Sequence, residues 1–150
     1  MDERYFDDFK TGEMFVTPGI TVTETMIVEF ARVYDPQPFH LDPEAAKHSI
    51  YGGLIASGFQ TLALGFRLIW DTGIFKAASL GSPGFDELRW LKPVRPGDVL
   101  HVEMAVAELR PSQSKPDRGI LRGAYRYVNQ QGEAVLTYTA MHLLRRRRAG

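Results

Sequence analysis

An aspartate and a histidine five residues apart, on a segment stiffened by two prolines, are the side chains of this sequence best suited to handle a water molecule together: Asp35-Pro36-Gln37-Pro38-Phe39-His40. Carboxylate and imidazole can both take and give protons near neutrality. Asp35 falls at the C-terminal end of a helical pattern, where the macrodipole disfavours a carboxylate by roughly 0.3–1 kcal/mol. Its pKa is therefore expected to be raised, the direction a general base needs. Spacing alone leaves open a structural alternative, in which Asp35 caps a loop amide and His40 packs on an aromatic ring. Asp42 follows closely, but Asp42-Pro43-Glu44-Ala45-Ala46 has the form of a helix start. Capping explains Asp42, and no metal site is expected. His48, His101 and His142 show no partner in sequence, and His101 is expected to be solvated.

The second informative place is Gly52-Gly53-Leu54-Ile55-Ala56-Ser57-Gly58, which opens a long helical pattern. The first N–H groups of a helix have no intrahelical partner, so they can receive an oxygen that gains negative charge. The backbone N–H of Gly58 is the candidate oxyanion donor. The alternative is that Gly58 only permits close packing of helix on sheet.

Positioning these groups requires two helices and a sheet. Ile27, Phe30, Ala31 and Tyr34 recur on one helical face, which predicts a helix near residues 23–34, capped by Thr21 or Thr23 and ended by Pro36. The segment from about Ser57 to Trp70 is apolar on most sides, which predicts a buried helix about 21 Å long. After Asp86 the period changes to two. Leu100, Val102, Met104 and Val106 alternate with polar or small residues, as do Leu121, Tyr125 and Tyr127. Val135, Thr137, Thr139, Met141 and Leu143 continue the pattern, and Asn129-Gln130-Gln131-Gly132 is a hairpin turn. The expected fold is α+β, a single domain over residues 1–150, with a curved antiparallel sheet wrapped around a buried central helix.

Composition narrows the function classes. Lys plus Arg and Asp plus Glu number 18 each, which gives no basic surface for nucleic acid. The absence of cysteine excludes disulfides, thiolate metal sites and a cysteine nucleophile. The start Met1-Asp2-Glu3-Arg4-Tyr5 is acidic and polar, unlike a secretory signal, and the longest apolar stretch is broken by Gln60, Thr61 and Arg67. A cytoplasmic protein without membrane contact is expected. Arg145 to Arg148 reads as a solvated end. Arg89, Lys92 and Arg95 could attract phosphates, although a solvated strand edge accounts for them as well.

Taken together, Asp35 to Asp42 with Ala45, Gly53-Leu54-Ile55-Ala56-Ser57-Gly58, and Leu91-Lys92-Pro93-Val94-Arg95-Pro96-Gly97-Asp98 resemble the signature of the MaoC-like hydratases. That signature has an aspartate, a histidine five residues later, a following aspartate, an Ile-Ala-x-Gly helix start and a proline–glycine turn. Gln113 to Gly119 and Asn129 to Gly132 fit the last hairpins, so the resemblance covers nearly the whole chain. It implies a hot-dog fold, a homodimer or larger homo-oligomer, and hydration of a trans-2-enoyl-CoA or acyl-carrier thioester to the (R)-3-hydroxyacyl thioester, or the reverse, within fatty acid metabolism. On this chain it implies Asp35 and His40 as the catalytic pair. It also implies Gly58 N–H as oxyanion donor, Ser57 and Gln37 in the substrate site, and no cofactor or metal beyond the CoA of the substrate. Two positions depart from the pattern. Gln37 stands where the family commonly has asparagine, and Ser57 where it often has histidine, which points to altered substrate choice. A hot-dog thioesterase and a non-catalytic acyl-CoA-binding subunit are the competing functions.

Overall fold

A computed structural model describes residues 3–148, so Met1-Asp2 of the expected polar start lies outside the described residues. Strands β1 (Met14–Val16) and β2 (Ile20–Thr21) lead into helix α1 (Glu24–Tyr34). Two short helices, α2 (Pro38–Leu41) and α3 (Pro43–Lys47), precede the long helix α4 (Gly58–Asp71). Strands β3 (Phe85–Trp90), β4 (Val99–Pro111), β5 (Arg118–Val128) and β6 (Ala134–Arg145) complete the fold. All pairings are antiparallel, in the order β1-β4-β5-β6-β3, with β2 paired to β4 beyond β1. The expected α+β architecture is therefore present. No helix among the described residues is long and apolar enough to cross a membrane.

The sequence reading did not place β1, β2 or β3. The first two are three and two residues long, too short for a period to register. The third is an edge strand exposed on both sides, so it lacks the alternation that marks a half-buried strand.

Burial follows the expected parity in β4 and β5 and the opposite parity in β6. There the buried side chains are Leu136, Tyr138, Ala140 and Leu144, while Thr137, Thr139, Met141 and Leu143 are only half-buried on the outer face. The cause is a bulge beside the hairpin. Tyr127 pairs with Leu136 and Val128 with Ala134, which leaves Val135 as an extra residue. Val135 and Leu136 are both fully buried, and one inserted residue reverses every later side chain.

Helix α4 is held on the sheet by a close approach and a polar tie. At Gly65 a Cβ would stand 2.0 Å from the Tyr127 ring, so only glycine lets the helix lie this near β5. The Tyr127 hydroxyl donates to the Leu62 carbonyl (3.1 Å) and shares a 2.7 Å hydrogen bond with Tyr138. Nearby, the Tyr125 hydroxyl meets His142 Nε2 at 2.6 Å. Burial lowers the His142 pKa to about 4, so the imidazole is neutral near pH 7 and accepts that proton.

The expectation of an enclosed central helix holds for one face only. Gln60, Thr61, Gly65 and Ile69 are buried, whereas Phe59, Phe66 and Trp70 are 63%, 53% and 37% exposed in the single chain. The arginine tail is largely exposed, as expected, and it is also anchored. Arg146 and Arg147 pair with Asp7 and Asp8, each at 2.6 Å, and their guanidinium groups lie over the rings of Phe6 and Tyr5. Two of the four arginines thus pin the 3₁₀ turn Phe6–Asp8 from the surface.

Asp42 has the capping role expected of it. Its Oδ1 accepts from the Glu44 N–H at 2.9 Å, with Pro43 at the first helical position. Asp42→Ala should therefore cost about 1 kcal/mol of stability with little change in turnover. Thermal melting beside a rate assay checks this, and lost turnover with unchanged melting would contradict it.

Candidate active site

Three local structures bring Asp35 and His40 together. Helix α1 starts at Thr23, whose hydroxyl accepts from the Met26 N–H (3.1 Å), and ends at Asp35, whose own N–H still bonds to Ala31. Pro36 forbids a further helical turn. Pro38 then starts α2, a single turn that carries His40 back toward the end of α1. The third element is the extended segment before α4. Its Ile55 N–H donates to the Phe39 carbonyl (3.1 Å) and its Ala56 N–H to the Val94 carbonyl (2.8 Å). That pinning fixes where Ser57 and Gly58 stand.

The geometry decides the state of the imidazole. His40 Nδ1 lies 2.7 Å from the Ile55 carbonyl, an acceptor only, so Nδ1 carries a proton. Nε2 is then the nitrogen free to exchange protons, and it faces Asp35 Oδ2 at 3.3 Å. The side chains are 5% and 12% exposed, enough to seclude the pair while leaving the carboxylate open on one side. Phe39 packs edge-on against the His40 ring at 4.6 Å, the aromatic contact that the structural alternative foresaw. The other half of that alternative, a loop backbone amide capped by Asp35, is not seen among the described residues, where the donors to its carboxylate are the side chains of Ser57 and Gln37.

Asp35 departs from expectation in the direction of its pKa. Burial is the largest single influence and pushes the carboxyl up. Hydrogen bonds from Ser57 Oγ to Oδ2 (2.7 Å) and from Gln37 Nε2 to Oδ1 (2.7 Å), with the His40 charge, together outweigh it. The carboxyl is held below its ordinary value. Ser57 and Gln37, expected in the substrate site, thus both touch Asp35. Ser57 is fully buried, and its hydroxyl also caps α4 by accepting from the Phe59 N–H (3.3 Å). Gln37 lines the cavity beside the pair.

That cavity has a volume of about 550 Å3 and is bounded by Asp35, His40, Gly58, Thr61, Trp90 and Phe39, among others. The Gly58 N–H, first in α4, has no hydrogen-bond partner among the described residues. The Gly58 carbonyl accepts from Trp90 Nε1 (2.9 Å), and a Cβ at Gly58 would stand 2.5 Å from that nitrogen. The close packing foreseen for Gly58 is thus present, and its N–H is left without a partner among the described residues. Sequence reasoning missed Trp90 because the exposed strand β3 carries no periodic signal, and it missed Thr61 inside an apolar run. Of the three cations near the mouth, Arg89 pairs with Glu87 (3.2 Å) and Lys92 with Glu133. The Arg95 guanidinium donates instead to the Tyr51 carbonyl (2.6 Å).

Known proteins share this architecture. The family model described as "MaoC like domain" matches residues 8–120. The crystal structure of a MaoC-like dehydratase from Rhodospirillum rubrum superposes with a TM-score of 0.90 at 40% identity, covering 97% of this chain and 99% of that one. A mesaconyl-CoA hydratase from Cereibacter sphaeroides is 34% identical over 96% of this chain, which spans 42% of that enzyme's length. A Mycobacterium tuberculosis protein described as a double hotdog fold superposes with a TM-score of 0.82 at 19% identity, covering 99% of this chain and 47% of that one. The fold is the hot-dog fold.

Proposed function

The chain belongs to the MaoC-like domain family, and from that premise we propose that it adds water across the C=C bond of a trans-2-enoyl thioester, borne by CoA or a carrier protein, to give the (R)-3-hydroxyacyl thioester, or runs the reverse dehydration. The observation that carries this reading is one cavity holding a tautomer-fixed His40 Nε2, the Asp35 carboxylate 3.3 Å away and the unpaired N–H of Gly58.

A neutral His40 presents a lone pair at Nε2, and Asp35 Oδ2 is also an acceptor. One water that donates a hydrogen to each satisfies both and turns its own lone pairs toward the cavity. With the thioester oxygen on the Gly58 N–H, the β-carbon becomes electrophilic as negative charge moves onto that oxygen. The water oxygen bonds to the β-carbon while its O–H bond breaks and the proton passes to Nε2. Asp35, a poor base because of its hydrogen bonds, stays ionised and stabilises the imidazolium. Nε2 then gives a proton to the α-carbon on the same face, which makes the addition syn. Dehydration uses the same atoms in reverse.

A second copy of this chain completes the proposal. Exposed Phe59, Trp90 and Leu91 give the rim of the cavity an apolar face, and Phe66 and Trp70 are exposed further along α4. A pairing of two such faces would bury them, and light scattering on the purified protein tests it.

The function is tested by the ultraviolet absorbance of crotonyl-CoA mixed with the protein, beside a thiol-release assay. Falling absorbance without free thiol is the expected result. Free thiol would favour a thioesterase, and silence across a panel of enoyl thioesters a binding subunit.

The pH dependence has a definite sign. Asp35 titrates below its ordinary value, so its ionised form, and any stability it contributes, persists until pH falls through that lowered value. Ser57→Ala removes one of the lowering hydrogen bonds, so the Asp35 carboxyl, followed by side-chain NMR, should titrate at higher pH than in wild type. An unmoved titration would place the hydroxyl outside the control of Asp35.

A further inference from the structure

Strand β3 holds a strained residue three places before Trp90. Glu87 has a φ of 55° and is the only non-glycine with a positive φ among the described residues. A residue with a side chain resists that conformation, and such strain persists where the surrounding structure imposes it. Here it belongs to a bulge. Asp86 pairs with Thr139 and Arg89 with Thr137, so Glu87 and Leu88 together face the single residue Tyr138. The Arg89 guanidinium clasps the bulge, donating to the Leu88 carbonyl (3.0 Å) and to the Glu87 carboxylate (3.2 Å). One inserted residue reverses every side chain after it. Trp90 therefore stands opposite the fully buried Leu136, on the face that meets α4. Without the insertion Arg89 would take that place, and Trp90 would point away from the helix.

The bulge thus delivers an indole to the first residue of α4. Trp90 Nε1 donates to the Gly58 carbonyl (2.9 Å), and the ring leaves no room for a Cβ on Gly58. The same ring lines the cavity. Glycine has the freest backbone of any residue, and helix ends fray. A donor for a developing oxyanion must be held in place before the reaction begins. We propose that Trp90 is a positioning residue, which aims the Gly58 N–H into the cavity by holding the Gly58 carbonyl from outside the helix. The proposal rests on the hydratase reading, in which that N–H receives the thioester oxygen. Trp90 touches no reacting atom in this scheme. The N–H and the carbonyl of Gly58 flank one Cα, so fixing the second restricts rotation of the first.

The test is Trp90→Phe, which keeps an aromatic ring at the rim and removes the indole N–H. It is assayed by hydration of the best substrate in a panel of enoyl-CoA thioesters. The oxyanion bond strengthens as charge develops, so kcat and kcat/KM should fall together by about tenfold while KM stays within about twofold. Circular dichroism and melting establish that the variant is folded at the assay temperature. Should it melt early, Trp90→Met offers a flexible apolar side chain without a donor for the same comparison. An unchanged kcat in the folded variant, or a rise in KM alone, would overturn the proposal and leave Trp90 as a wall of the cavity. A wild type that hydrates no member of the panel would instead overturn the hydratase reading, and this proposal with it.

Discussion

Asp35→Asn should lower hydration of a good enoyl thioester by at least about a hundredfold while the protein remains folded, because acid–base groups contribute roughly 10²–10⁴ in rate. Asparagine keeps the shape of the side chain, and one amide oxygen can still accept from Ser57 or Gln37, the two donors that hold the native carboxylate. What disappears is the charge 3.3 Å from Nε2 that stabilises an imidazolium during proton transfer. His40→Ala should cost at least as much, since it removes the proton carrier itself. The two losses should not add, because the residues act on one water. Steady-state rates with circular dichroism on both single variants and the double variant check this. Near-normal rates in either folded single variant would remove the pair from the chemistry.

Gly65→Ala is expected to damage folding more than any other single-methyl addition on α4. The new carbon would stand 2.0–2.1 Å from two Tyr127 ring carbons, far inside contact distance. Tyr127 cannot swing away, because it is fully buried and tied to both Tyr138 and Leu62. The helix must lift instead, at a cost of about 3 kcal/mol, or a fall in Tm of roughly 10 °C for a chain of this size. Calorimetry measures it. In a Tyr127→Leu background, where the ring is gone, the same alanine should cost much less. Equal costs in the two backgrounds would mean that this contact does not set the height of the helix.

The sequence makes the architecture legible where one face of an element is buried by its own chain. Residues 23–34, the helix from Gly58 and strands β4 and β5 carry their periods openly. The opposite parity of β6 was hidden by Val135, since a bulge leaves no mark in composition. The half-exposure of α4 was equally hidden, because an apolar side chain reads alike whether the same chain or another covers it. At the site, the five-residue interval between Asp35 and His40 could be read directly. The direction of the Asp35 pKa could not. A macrodipole is a modest backbone effect, and it is overruled by two side-chain donors, Gln37 from two residues along and Ser57 from 22 residues along. The tautomer of His40 depends on the Ile55 carbonyl, a backbone atom with no signature in residue type.

The double duty of the Ser57 hydroxyl limits how this protein can be altered. Aspartate is as good a helix cap as serine in general, so a thermostability screen guided by capping statistics would rank Ser57→Asp as neutral or favourable. Here it would bring a second carboxylate against Asp35 in a nearly dry site, where two negative charges cannot both persist. The variant would then be forced to hold an extra proton at the pair or to open the start of α4. Evolution toward a stiffer helix and evolution toward a faster enzyme therefore compete for one oxygen atom, and drift at this position is confined to side chains that can donate as well as accept.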